Sequence, residues 1–206
     1  MRYVGDEKKR LEFAQLHRND DTKKIIFSDE HYSGANDSSC SWEWCREGAL
    51  PRHRGRMQFE KKIHVWGAIG VGVKRLVLLP RGSTVNSAVY LKQCIQPNLD
   101  AIRGKTLMQD GAKAHTSAAT TAQLKTWGVV TLDGWPARSP DLNPIEQLWS
   151  FLKRGVSDRM PTDEEELEAA IKAAWDAIPQ SYIDNLVESF TRKLARCIAD
   201  GGRTLR

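Results

Sequence analysis

Three acids in this 206-residue chain stand where carboxylates can do chemistry. Asp29 closes the run Lys24-Ile25-Ile26-Phe27-Ser28-Asp29-Glu30, and Asp110 closes Lys105-Thr106-Leu107-Met108-Gln109-Asp110-Gly111. Each is a short apolar run leading into an acid, so each reads as a buried strand delivering an aspartate at its C-terminal end. The third acid, Glu146, falls in the first turn of a helix within SPDLNPIEQLW, Ser139 to Trp149. Carboxylates gathered in one cleft repel one another and partly protonate unless a cation neutralises them. Such a set therefore makes sense chiefly as a hard-metal site with magnesium as its natural occupant. Taken alone, Glu146 reads first as a glutamate folded back on the helix cap, favouring the positive helix end; the two aspartates shift that reading.

Helix and strand signals supply the elements that would position these acids. Asn143 suits an N-cap and Pro144 the first helical position, while Ile145, Leu148, Trp149 and Leu152 form an apolar stripe with Glu146 beside it. Ile63 to Val71 and Arg75 to Leu79 read as strands turning through Gly70-Val71-Gly72, in an antiparallel meander with the first strand. A helix from about Asn86 buries Tyr90, Cys94, Leu99 and Ile102 and is interrupted at Pro97. Ser117 to Trp127 reads as a helix closed by Gly128, followed by a strand over Val129 to Leu132. Thr162 and Glu165 read as a capping box for a helix burying Leu167, Ala170, Ile171, Ala174 and Ile178. A last helix begins near Ser181, buries Leu186, Phe190, Leu194 and Ile198, and stops at Gly201. Three strands followed by alternating helices and strands give an α/β fold, a mixed sheet with helices on both faces.

With 40% hydrophobic residues and no low-complexity tract, the chain can bury one sizeable core. A net charge of +5 suits a polyanionic partner but does not demand one. No apolar run is long enough to span a bilayer and Met1 to Lys9 lacks the apolar core of a signal peptide, so an intracellular, membrane-free protein is expected. Cys40, Cys45, Cys94 and Cys197 lack paired CxxC spacing. They read as free, mostly buried thiols rather than as a zinc site completed by His31 or His53.

The segments IIFSDE around Asp29, VWGAIG at Val65 to Gly70, LMQDGAKAHTS around Asp110 and WPARSPDLNPIEQLWSFLKR at Trp135 to Arg154 resemble the Tc1/mariner transposases. The resemblance runs in the family's order from about Arg10 to the C-terminus, and SPDLNPIE is its most specific part. It implies an RNase H-like fold of the DDE superfamily, with residues 1–22 linker-like and 23–206 catalytic, the helices of 162–200 included. It maps the family's three metal-binding acids onto Asp29, Asp110 and Glu146, holding two Mg2+ ions with Mn2+ as an alternative. Eighty residues separate Asp29 from Asp110 and 35 separate Asp110 from Glu146, the latter one more than is usual for Tc1-type elements. The added residue fits the loop near Asp133 and Gly134. Gly111 and Lys113 stand where family members commonly have asparagine and proline, while His115, Thr116 and Ser117 are kept.

The activity so implied is cut-and-paste DNA transposition: cleavage at transposon ends, then strand transfer into target DNA, typically at a TA dinucleotide. Glu30 would support a neighbouring ligand, and Lys113 and His115 are candidates to touch a phosphate or orient a reacting group. A solvated lysine and a histidine bonding at the start of the next helix are the plainer alternatives. Arg52, Arg54, Arg56, Lys61 and Lys62 form a dense basic loop for DNA phosphates, with a merely solvated loop or the clasp between subunits of a homodimer as the alternatives. Trp42 and Trp44 read as packing under that loop. Nothing before Asp29 has room for the family's helix-turn-helix modules, so weakly selective, salt-sensitive DNA binding is expected. A nuclear location follows from the resemblance in a eukaryote. The rivals are a truncated or domesticated remnant that binds DNA or dimerises without cutting, and a ribonuclease H acting on RNA/DNA hybrids.

Overall fold

In a computed structural model, residues 6–34, 62–80, 82 and 84–205 are described. The elements run α1 (Asp6–His17), β1 (Ile25–Gly34), β2 (Lys62–Gly70), β3 (Val73–Leu78), α2 (Ser87–Val89), α3 (Leu99–Ile102), β4 (Thr106–Met108), α4 (Lys113–Thr116), α5 (Ala118–Thr126), β5 (Val130–Thr131), α6 (Ile145–Arg159), α7 (Glu164–Asp176), α8 (Gln180–Glu188) and α9 (Phe190–Ala199). The five strands form one sheet in the order β3-β2-β1-β4-β5. β1, β2 and β3 are antiparallel neighbours, whereas β4 and β5 run parallel to β1.

Alternation along the central strand divides the core in two. Ile25 and Phe27 point to the face covered by α6 through α9, with Trp149, Ile171 and Phe190 among their cluster. Ile26 points to the opposite face with Trp66, Tyr90, Cys94 and Leu124. Helices thus cover both faces, as the α/β pattern predicts. Between α2 and α3 the chain passes through a π-helical turn at Tyr90–Ile95 and a 3-10 turn at Gln96–Asn98, the adjustment a proline forces because it lacks a backbone N–H. Cys94 and Cys197 are buried free thiols, while Cys40, Cys45, His53, Trp42 and Trp44 lie outside the described residues. No helix among the described residues is long and apolar enough to cross a membrane.

Three expectations are corrected. Asp29 does not end its strand: β1 continues to Gly34 because β2 pairs with it from Phe27 onward, while the parallel pairing with β4 stops at Phe27–Met108. The capping box before α7 lies one residue later than expected, with Asp163 accepting from Glu166 N–H and the Glu166 carboxylate accepting from Thr162 N–H. The single C-terminal helix is two, α8 and α9, broken at Ser189. There the hydroxyl donates to Leu186 O at 2.7 Å, and the turn lets Phe190 pack edge-on against Phe27 at 4.8 Å.

α1 is docked rather than extended. Phe13 and Ala14 enter the core and the helix packs against α9. Arg10 is fully buried, forks onto both oxygens of Asp141 at 3.0 and 2.6 Å, and donates through Nε to Gly202 O at 2.8 Å.

Candidate active site

The acids come together through strand register and one helix terminus. Extending the parallel pairing of β1 and β4 beyond Phe27–Met108 sets Asp29 opposite Asp110. Both then project to the α6 face, because side chains two residues apart share a face. Glu146 approaches from the first turn of α6. Asp29, Asp110 and Glu146 line one cleft of about 250 Å³, walled by Trp135, Pro136, Arg138, Pro140 and Asn143. A larger groove of about 600 Å³ runs from Asp110 and His115 along α5 to Trp135.

The SPDLNPIE segment places Glu146 by a chain of hydrogen bonds. Asn143 Oδ1 accepts from Ile145 N–H at 3.3 Å, so its side chain caps the helix, although regular helix begins only at Ile145. Its Nδ2 donates to Ser28 O at 3.5 Å, tying the helix start to the residue before Asp29. The Asn143 backbone N–H donates to Pro140 O at 2.9 Å. The donor that a capping-box glutamate would need is therefore taken, which decides against that role for Glu146. Asp141 holds the loop from beneath, accepting from Arg10 and from Leu205 N–H at 2.9 Å.

Gly67 explains the VWGAIG segment. It pairs with Asp29 across β1 and β2, and a Cβ added there would stand 2.6 Å from Trp149 Cη2 and 3.1 Å from Ile145 Cδ1. The missing side chain lets α6 lie close against the sheet, and Trp149 Nε1 donates to Asp29 Oδ2 at 3.2 Å. Gly67→Ala is expected to cost about 1–3 kcal/mol by overpacking and to disturb that bond. Urea unfolding would show it, and a variant as stable as its parent would contradict this packing.

Charge in the cleft is poorly tolerated without a partner. Burial, then the nearby Glu146 carboxylate, push Asp29 up to about 7, against the lowering effect of the Trp149 bond. Burial also raises Glu146, while the charges of Lys153 and Lys193 oppose the rise. Lys193 itself is lowered by burial and pulled back up by Asp141 and Glu146, which sets a cation beside the acids. Asp110 is lowered, first by its bond to His115.

His115 is buried between two acids. Its Nδ1 lies 2.7 Å from Asp110 Oδ1 and its Nε2 lies 3.0 Å from Glu30 Oε1. Burial pulls its pKa down, but the bonds to Asp110 and Glu30 outweigh that and hold it at about 10. It does not serve the start of the next helix; Ser117 caps α5 by accepting from Thr120 N–H. Lys113 is exposed at the first position of α4. Lys62 is exposed at the start of β2, and Arg52, Arg54, Arg56 and Lys61 lie outside the described residues.

Among the described residues, no three His, Cys, Asp or Glu side chains converge tightly enough to form a ready-made metal cage. The acids share a cleft, but Asp29 is engaged by Trp149 and by Glu30 N–H, and Asp110 by His115. The donor set nevertheless fits a hard divalent cation. It offers carboxylate oxygens in a half-buried cleft, and the raised Asp29 and Glu146 would be relieved by positive charge.

Trp149, Arg10 and Lys193 were missed as site residues in the sequence. Trp149 reads as part of an apolar stripe, and the available signal was that a buried indole N–H needs an acceptor. Nothing local marks Arg10 or Lys193, because their partners lie far away in the chain.

The sheet order, with helices on both faces, defines an RNase H-like fold. The whole chain superposes on the catalytic domain of Mos1 transposase described with raltegravir and Mg, covering all of it with a TM-score of 0.77 at 17% identity. It also matches a Mos1 paired-end complex with the left transposon end, with a TM-score of 0.81, 19% identity and 67% of that chain covered. Residues 24–168 match the family of DDE superfamily endonucleases, and the chain belongs to that family. It is 33% identical to the Tc3 transposase of Caenorhabditis elegans, with 96% of this chain matching 62% of that protein. It is 36% identical to the Tc1 transposase of the same organism over 48% of this chain and 36% of that protein. The chain thus spans less than two thirds of the length of either relative.

Proposed function

We propose that this chain is the catalytic part of a DNA transposase, cutting transposon ends and joining them to target DNA in metal-dependent steps. The observation that carries the reading is the one cleft shared by Asp29 on β1, Asp110 two residues past the end of the parallel strand β4, and Glu146 in the first turn of α6. These three would hold two Mg2+ ions, with Mn2+ as an alternative. The ions would supply Lewis-acid activation of the attacking oxygen and charge relief on the departing one.

The chain's own contribution is placement. Trp149 and Glu30 N–H each hold one oxygen of Asp29, which fixes the plane of its carboxylate. Asn143 sets the helix start that aims Glu146, and Lys193 adds positive charge where a phosphate would approach. The groove beside Asp110 leaves room for a nucleic-acid strand. Net charge of +5 favours such a polyanion and makes its binding salt-dependent.

Incubation of the purified chain with supercoiled plasmid tests the reading. Nicking is expected with Mg2+ or Mn2+, none with EDTA, and preference for duplex DNA over an RNA/DNA hybrid. Binding of DNA without nicking in either metal would contradict it in favour of a non-cutting remnant, and preferential attack on the hybrid would point to a ribonuclease.

A further inference from the structure

We infer that His115 is a positioning residue that presents Asp110 to a divalent ion through one oxygen, Oδ2. The inference rests on the metal-holding role proposed above for Asp110. Oδ1 is already committed, since it lies 2.7 Å from His115 Nδ1 and accepts from Ala112 N–H at 2.9 Å. Among the described residues nothing donates to Oδ2, and Asp110 itself lines the cleft shared with Asp29 and Glu146.

His115 is in turn held on every side. Glu30 Oε1 lies 3.0 Å from Nε2, and the Tyr90 ring packs against the imidazole with centroids 4.2 Å apart. The Tyr90 hydroxyl donates to Gln109 Oε1 at 2.7 Å, and Gln109 Nε2 donates to His115 O at 3.2 Å. The arrangement crosses the sheet: Glu30 lies on the face of Tyr90, whereas Asp110 belongs to the cleft on the other face. A histidine placed only to fill the core needs one partner for its polar edge; this one spends both nitrogens on carboxylates, one on β1 and one in the segment that follows β4. Fixing the oxygen that remains is how an outer partner tunes a ligand, and loss of such partners costs about 10- to 100-fold in metal affinity.

Calorimetric titration of the full chain with MnCl2, without DNA, tests this. His115→Ala is expected to weaken Mn2+ binding by about 10- to 100-fold. His115→Asn, whose amide nitrogen takes the place of Nδ1 and keeps the Asp110 bond, should recover most of that loss. His115→Gln, whose amide takes the place of Nε2 and keeps only the Glu30 contact, should not. Equal weakening in the Asn and Gln variants would overturn the inference, as would His115→Ala that binds Mn2+ like its parent. If the Ala variant does not fold, the Asn and Gln pair still decides. Asp110→Asn serves as the separate control, since Mn2+ binding unchanged in that variant would overturn the metal reading itself.

Discussion

Asp29→Asn, Asp110→Asn and Glu146→Gln should each reduce Mg2+-dependent plasmid nicking by about three orders of magnitude or more, the equivalent of several kcal/mol of lost charge stabilisation. The fold should survive, because each change keeps shape and removes a charge. Asp29 is the sharpest case. Burial and the Glu146 charge already disfavour its ionised form, so in the folded protein ionisation works against stability at any pH above the ordinary carboxylate range. In EDTA at neutral pH or above, Asp29→Asn should therefore melt at or above the temperature of its parent while losing cleavage. A variant that still nicks at the parental rate would remove its residue from the site. A variant that loses activity only because it no longer melts cooperatively would show that the residue serves stability instead.

The second large effect is expected at Arg10, on α1. Arg10→Ala leaves Asp141 without its guanidinium and strands the carbonyls of Gly202 and Arg203, so it should destabilise the fold by about 3–5 kcal/mol. The size follows from burial: the Arg10 side chain is 0% and that of Asp141 12% exposed, so water replaces little of what is lost. Asp141→Ala should cost a similar amount, and the double variant less than the sum, because each single change leaves one charge behind. Denaturant unfolding measures all three. A loss below about 1 kcal/mol for Arg10→Ala, the range of an exposed ion pair, would contradict the account. Since Asp141 lies five residues before Glu146, activity should fall with the same variants even where they remain folded.

The local signals of this chain carried most of the site. Apolar runs ending in acids located Asp29 and Asp110, and cap chemistry around Asn143 and Pro144 located the helix that delivers Glu146. What failed were features set by distant partners. His31, Tyr32 and Ser33 are too polar to read as strand, yet β1 continues because β2 pairs with them, His31 stacks on Trp149 at 5.2 Å and Tyr32 stacks on His64 at 4.0 Å. α8 and α9 share one apolar period, and their break comes from burying Phe190 between Phe27 and Trp135. His115 reads as a helix-start residue by position alone; only the fold brings Glu30, 85 residues away, to its second nitrogen. Propensity and periodicity describe near neighbours, and buried polar pairs obey the tertiary fold instead.

Asp29, Asp110 and Glu146 jointly holding divalent metal is the central claim, and anomalous scattering from crystals of the chain soaked in MnCl2 measures it most directly. Density is predicted in the cleft between these three carboxylates, with Asp110 engaged through Oδ2 and His115 still on Oδ1. Manganese bound elsewhere on the chain with this cleft empty, or a site that any one of the three side chains does not touch, would contradict it.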